Sequence, residues 1–235
     1  MKLLTISEKT DFICEERRAC VKLVYTEAML SELREKVRPY LKAKRYEHTL
    51  AVEREAARLG EIYIPEEVNR LRAAALLHDI TKKLDLSEHL QICSEFDIIV
   101  GDCPEREKKL FHSKTAPAVI KTDFEGYYDD DILSAVRWHT TGRKGMTVFE
   151  ALVYLADYIE DTRTFEDCVV LREYFYSQLE KGELSRSEVF RQTMILSFDM
   201  TIKNLMEEKG LIDSDTISAR NYFILNDSFA DTLKE

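Results

Sequence analysis

The sequence predicts an all-α fold, a helical bundle, and three observations carry that expectation. Only 7 Gly and 4 Pro occur in 235 residues, few for a β-rich chain built on tight turns. Apolar residues (45%) recur at intervals of three and four among charged ones (33%), the mixture that amphipathic helices need. Cap residues stand ahead of several of these runs, and strand signals are scarce.

The elements follow in order. Leu30, Leu33 and Val37 have helical spacing, and Pro39 closes that helix. Arg45 opens a second, in which His48, Val52, Ala56 and Leu59 share one face and Gly60 suits the C-terminal cap. Pro65 reads as the start of a third, with Glu66 and Glu67 in its first turn and Val68, Leu71, Ala75 and Leu76 leading to His78-Asp79. Ser87 is the expected cap of a short helix through Phe96. Pro104 starts one carrying Leu110, Phe111 and His112, and Pro117 bends or restarts it. Asp129 to His139 forms the next, stopping in the basic turn Thr140-Thr141-Gly142-Arg143-Lys144-Gly145. Thr147 and Glu150 form a capping box before a run holding Val153 and Asp157, so Asp157 faces inward. A longer helix spans Ser187 to Lys209, and Asp213 to Thr216 cap a last one through Leu225.

No repeat, low-complexity tract or linker divides the chain. Residues 28–235 read as a single domain, and residues 1–27 as an N-terminal extension to which the pattern assigns no role. A net charge of −10 disfavours a non-specific nucleic-acid binder, which needs a basic surface. Five scattered Cys without a Cys-x-x-Cys pair fit free thiols in a reducing cytosol. No signal peptide or membrane span is expected, so the expected location is cytoplasmic.

The chemistry concentrates on His48, His78, Asp79, His112, His139 and Asp157, which include four of the five His. A lone His on an apolar face is usually a hydrogen-bonded core residue. Four such placements with two inward Asp are better explained by metal. Six ligands exceed what one ion takes, and a central Asp can bridge two with its two oxygens. Imidazole and carboxylate without thiolate suit Fe, Mn, Co or Zn. Arg45, Lys82, Arg143 and Lys144 are candidate phosphate partners. His89, in a charged helix, reads as ordinary surface.

The order His…His-Asp…His…His…Asp resembles the HD-domain superfamily of metal-dependent phosphohydrolases. Arg45-Tyr46-Glu47-His48-Thr49-Leu50, Leu77-His78-Asp79, His139-Thr140-Thr141-Gly142-Arg143, Leu155-Ala156-Asp157-Tyr158-Ile159-Glu160 and Asp215-Thr216-Ile217-Ser218-Ala219-Arg220-Asn221-Tyr222 resemble its YqeK family, over about residues 28–225. Thr162-Arg163-Thr164-Phe165 resembles that family's Gly-Arg-x-Phe, with Thr162 in place of Gly.

The resemblance implies an HD-domain helical bundle that cuts diadenosine tetraphosphate into two ADP with a metal-bridging hydroxide. It implies two divalent metal ions, iron first, with manganese or cobalt as alternatives. His48, His78, Asp79 and Asp157 would hold one ion, and Asp79, His112 and His139 the other. His112 has the least typical surroundings. Asp79, Lys82 and Arg143 would be catalytic, and Arg45, Lys82, Thr140, Arg143 and Arg163 would bind substrate. The expected partner is a small nucleotide, with no nucleic-acid polymer and no membrane; a homodimer is left open. Three rivals stand beside this reading: another nucleotide phosphate ester as substrate, a di-iron oxygenase, and a non-catalytic nucleotide-binding regulator.

Overall fold

Helices supply all the regular structure in the computed structural model, which describes residues 24–226. The Thr26 side chain accepts from the Met29 amide and caps α1 (Glu27–Val37), whose Leu30, Leu33 and Val37 are buried. A 3₁₀ turn with Pro39 ends it. Next come α2 (Ala43–Tyr63), a 3₁₀ turn opened by Pro65, and α3 (Val68–Leu77). Then follow α4 (Leu86–Glu95), the short α5 (Pro104–Glu107) and α6 (Phe111–Asp123). The described chain closes with α7 (Asp130–Trp138), α8 (Val148–Ile159), α9 (Glu166–Lys181), α10 (Arg186–Glu207) and α11 (Ser214–Leu225). The expectation for residues 1–27 falls outside the described residues up to position 23. Tyr25 is buried, and its carbonyl accepts from Asn69 of α3.

α3 is the axis of the bundle. Leu71 and every residue from Ala73 to Leu77 are fully buried. A helix apolar on all sides must be surrounded, and α3 packs on α1, α2, α7 and α8. Its alanines let those neighbours come close. α8 is the second hub: Leu152, Val153, Leu155, Ala156 and Ile159 are buried, and it touches α2, α3 and α7 as well as α9 and α10. α11 covers α10.

Arg70 ties two of these helices together. It donates to Glu67 Oε2 at 3.0 Å, to Asp129 Oδ2 at 2.6 Å and to Asp131 Oδ2 at 2.5 Å, and lies 5.1 Å from the Phe149 ring centre. Asp129 also caps α7. The capping box of Thr147 and Glu150 forms at the start of α8 as the sequence indicates.

Several local expectations yield to packing. Gly60 does not end α2, which runs on to Tyr63. A Cβ at Gly60 would come within 3.2 Å of Val68 Cγ2, so the glycine serves a close approach to α3. Asp85, not Ser87, caps α4. The helix expected from Pro104 to His112 is two, α5 and α6. Pro117 lies inside α6 without ending it. His89 is buried, not surface: its Nδ1 is 2.9 Å from Thr115 Oγ1, and its ring stacks on Phe111.

Candidate metal centre

α3 and α7 end in the same way. The last carbonyls of a helix lack an intrahelical donor. His78, just past α3, donates Nδ1–H to the Ala75 carbonyl at 2.6 Å, and His139, just past α7, donates Nδ1–H to the Val136 carbonyl at 2.6 Å. A carbonyl only accepts, so both protons sit on Nδ1 and both Nε2 atoms carry a lone pair. His48, in the second turn of α2, is oriented by Glu160, whose Oε1 lies 3.0 Å from Nδ1. Glu160 is buried and also accepts from the Thr162 amide at 2.6 Å. His112, on the first turn of α6, meets a cation instead: Lys82 Nζ lies 3.3 Å from its Nδ1 and 2.8 Å from its Nε2, and its backbone carbonyl accepts from Thr81 Oγ1 at 2.8 Å.

These rings converge on Asp79. Its Oδ2 is 3.4 Å from His78 Nε2, and its Oδ1 is 3.3 Å from His112 Nε2 and 3.6 Å from His139 Nε2. Asp157, in the last turn of α8, places Oδ1 2.9 Å from His48 Nε2 and 3.8 Å from His78 Nε2. The Asp79 carboxylate therefore stands between a side with His78 and a side with His112 and His139. Two triads, His48–His78–Asp157 and His78–Asp79–His139, bring one ligand atom from each member within 4.8 Å of the others.

The donor set fits metal on a direct observation. His48 Nε2, His78 Nε2 and Asp79 Oδ1 are buried without a hydrogen-bond partner. Lone pairs facing lone pairs inside a protein are costly unless a cation lies between them. Burial pushes the His139 imidazole below its ordinary range, and burial with Lys82 nearby pushes His112 well below it, so both are neutral and competent as ligands. Burial opposes the charge on Asp79 and Asp157. Their neighbours prevail, His78 and the Lys82 cation beside Asp79 and the Arg163 cation and the His48 hydrogen bond beside Asp157, and hold both carboxyls well below the usual carboxylate range.

All six expected ligands thus meet in one place. The expected substrate contacts divide. Lys82, Thr140 and Arg163 line a cleft of about 510 Å³ whose floor includes His139 and Asp157. Lys82 Nζ is 3.8 Å from Asp79 Oδ1, and Thr140 Oγ1 is 3.0 Å from His112 Nε2. Arg163 donates to Asp157 Oδ1 at 2.5 Å, and Arg45 donates to Asp79 Oδ2 at 2.9 Å. Arg143 is not among the cleft residues; it donates to Glu150 Oε1 at 2.9 Å and braces the turn after His139. Gly142 makes that turn at φ +65°, close against Phe198. The role of Glu160 was not legible: it follows Asp157 by three residues but lies just past the end of α8, in extended backbone. Phe165 and Tyr158 also line the cleft unforeseen.

A bundle whose helix ends gather four imidazoles and two carboxylates is the architecture of an HD domain, and the HD-domain family model matches residues 45–162. The symmetrical bis(5'-nucleosyl)-tetraphosphatase of Staphylococcus aureus is 30% identical over 189 residues, 80% of this chain and 90% of that protein. The protein of the same name from Bacillus subtilis is 29% identical over 210 residues, 89% of this chain and 97% of that one. A crystal structure of a predicted HD superfamily hydrolase involved in NAD metabolism, from Clostridium acetobutylicum, is 33% identical. It superposes with a TM-score of 0.70 over 83% of this chain and 97% of that one. The chain belongs to the HD-domain family, in its branch of YqeK-like symmetrical bis(5'-nucleosyl)-tetraphosphatases.

Proposed function

We propose that this protein hydrolyses dinucleoside tetraphosphates at the central bridge, taking diadenosine tetraphosphate and water to two ADP. The observation that carries the reading is the cluster of His48, His78, Asp79, His112, His139 and Asp157 at the floor of a cleft that also holds Lys82, Lys109 and Arg163. The names of its close relatives supply the substrate class.

We assign His48, His78, Asp79 and Asp157 to one divalent ion and Asp79, His112 and His139 to the other, with iron first and manganese or cobalt as alternatives. When bound, such a pair grips phosphate oxygens and acidifies water, which makes a nucleophile available near neutral pH. The chain's own residues do the rest. Nδ1 contacts to Ala75, Val136 and Glu160 aim three Nε2 atoms before substrate arrives. Arg45 holds Asp79 from the opposite side. Lys82, Thr140 and Arg163 receive the phosphates in the cleft. Attack at an inner phosphorus breaks its bond to the central bridging oxygen, which leaves with the electron pair on the second ADP. Lys82 offsets the negative charge that gathers there. ADP is a stable leaving group, so no strong acid is required.

The three free cysteines among the described residues and the nucleotide substrate support a cytosolic setting. No described helix is long and apolar enough to cross a membrane.

A product assay tests the reading. Purified protein with its metal counted is incubated with diadenosine tetraphosphate and the products are separated. ADP alone is expected. ATP with AMP would move the attack to an outer phosphorus, and the absence of product with two metals bound would overturn the assignment.

A further inference from the structure

A second cavity adjoins the metal cleft. That cavity has a volume of about 390 Å³, within the range of small-ligand sites. Lys109, Thr140, Thr201, Leu205 and Glu208 line both spaces, so the two adjoin across these side chains. Away from the metal the second cavity is walled by Leu110, Leu205, Leu211 and Ile212. Leu211 stands on the loop after α10 and is half exposed. The cleft also holds Phe165 at the start of α9, an exposed ring beside Arg163 and Asp157.

We infer that these are two nucleoside subsites: the apolar cavity behind Leu205 and Leu211 takes one base, and Phe165 stacks on the other. The inference rests on the hydrolase reading. A substrate cut at its centre has identical nucleosides on both sides of the reacting phosphorus. A cleft that served only one of them would leave the other in water. Bases have large, weakly hydrated faces and suit an apolar wall or an exposed aromatic ring. The polar atoms fit the rest of the ligand. Thr140, Thr201 and Lys109 stand between the two spaces and line both. The Lys109–Glu208 pair is 3.3 Å long and exposed on both sides, so it is weak and leaves the ammonium free to turn to a phosphate.

ADP binding to the metal-loaded protein tests this apart from catalysis. Calorimetry is expected to find two ADP per chain. Leu211→Glu should keep one, and Phe165→Ala should keep one at the other end. Each should raise KM for diadenosine tetraphosphate about tenfold with kcat within about twofold, since the lost contacts lie far from the reacting atoms. Thermal melting checks that both variants are folded. One ADP per chain in the wild type, or two in folded Leu211→Glu, would overturn the second subsite. A chain that cleaves the dinucleotide but binds one ADP fails here alone. A chain that binds two ADP but releases none from the dinucleotide fails the hydrolase reading alone.

Discussion

The Arg70 cluster on α3 and the Asp79 cluster just past that helix's end, nine residues on, are both largely buried collections of charge, yet they are wired in opposite ways. Around Arg70 a guanidinium meets three carboxylates, and each donor reaches an acceptor. Around Asp79, imidazole lone pairs and carboxylate oxygens face one another, and three of those atoms find no partner. The first cluster is complete within the chain and joins α3 to α7. The second leaves lone pairs that fit cations from outside. Polar residues buried in a core therefore say little by number alone. Whether donors and acceptors balance separates a brace from a site.

The sharpest way to break the comparison is Asp79→Ala. It should remove metal and lower kcat by roughly a thousandfold or more, with only a small loss of Tm in the metal-free protein, because Arg45 loses its partner while the buried Oδ1 had none. Metal analysis, rates and melting read all three. Activity retained in a metal-poor variant would sink the centre. Glu160→Ala comes next. It releases His48 Nδ1 and should weaken metal affinity about 10–100-fold, measured by chelator competition.

Arg70→Met should do the reverse of Asp79→Ala. It leaves metal content unchanged and costs about 2–3 kcal/mol, since Asp129 stays partly buried while Asp131 reaches water, and this lowers Tm by about 5–10 °C. The same pair gives a pH signature. Burial raises the Asp129 carboxyl, but the hydrogen bonds from Arg70 outweigh it and pull it below its ordinary value. A lowered carboxylate stabilises the fold above its unfolded pKa and loses that contribution as pH falls through the native one. The Tm gap between wild type and Arg70→Met should therefore be full at neutral pH and close below about pH 4. A gap that persisted into stronger acid would assign the brace to packing. The smallest effect is expected from Arg143→Ala: KM within about threefold and a Tm loss of about 2 °C, because the residue is held by Glu150 outside the cleft.

Much of this was legible along the chain. The i, i+4 spacing put His48 with Val52 and Asp157 with Val153, and short-range caps marked Thr147, Glu150 and Asp213. The misreadings share a cause. Gly60 looked like a stop because nothing in sequence shows Val68 lying against it. His89 looked like surface because its neighbours on α4 are charged, whereas its cover, Phe111 and Thr115, comes from α6. Arg143 carried a phosphate expectation, but a Glu seven positions on is within its reach.

Periodicity, caps and residue type are local quantities, so the sequence by itself determined most of the helices and their buried faces and the six candidate ligands that point inward. Only the tertiary structure decided that the Asp79 oxygens divide between two groups of imidazoles. It alone paired Glu160 with His48, and it alone set the cavity of Leu205 and Leu211 beside the cleft. These are distances between helix ends far apart in the chain. They are set by how α3 and α8 pack among their neighbours, which no pattern within one helix records.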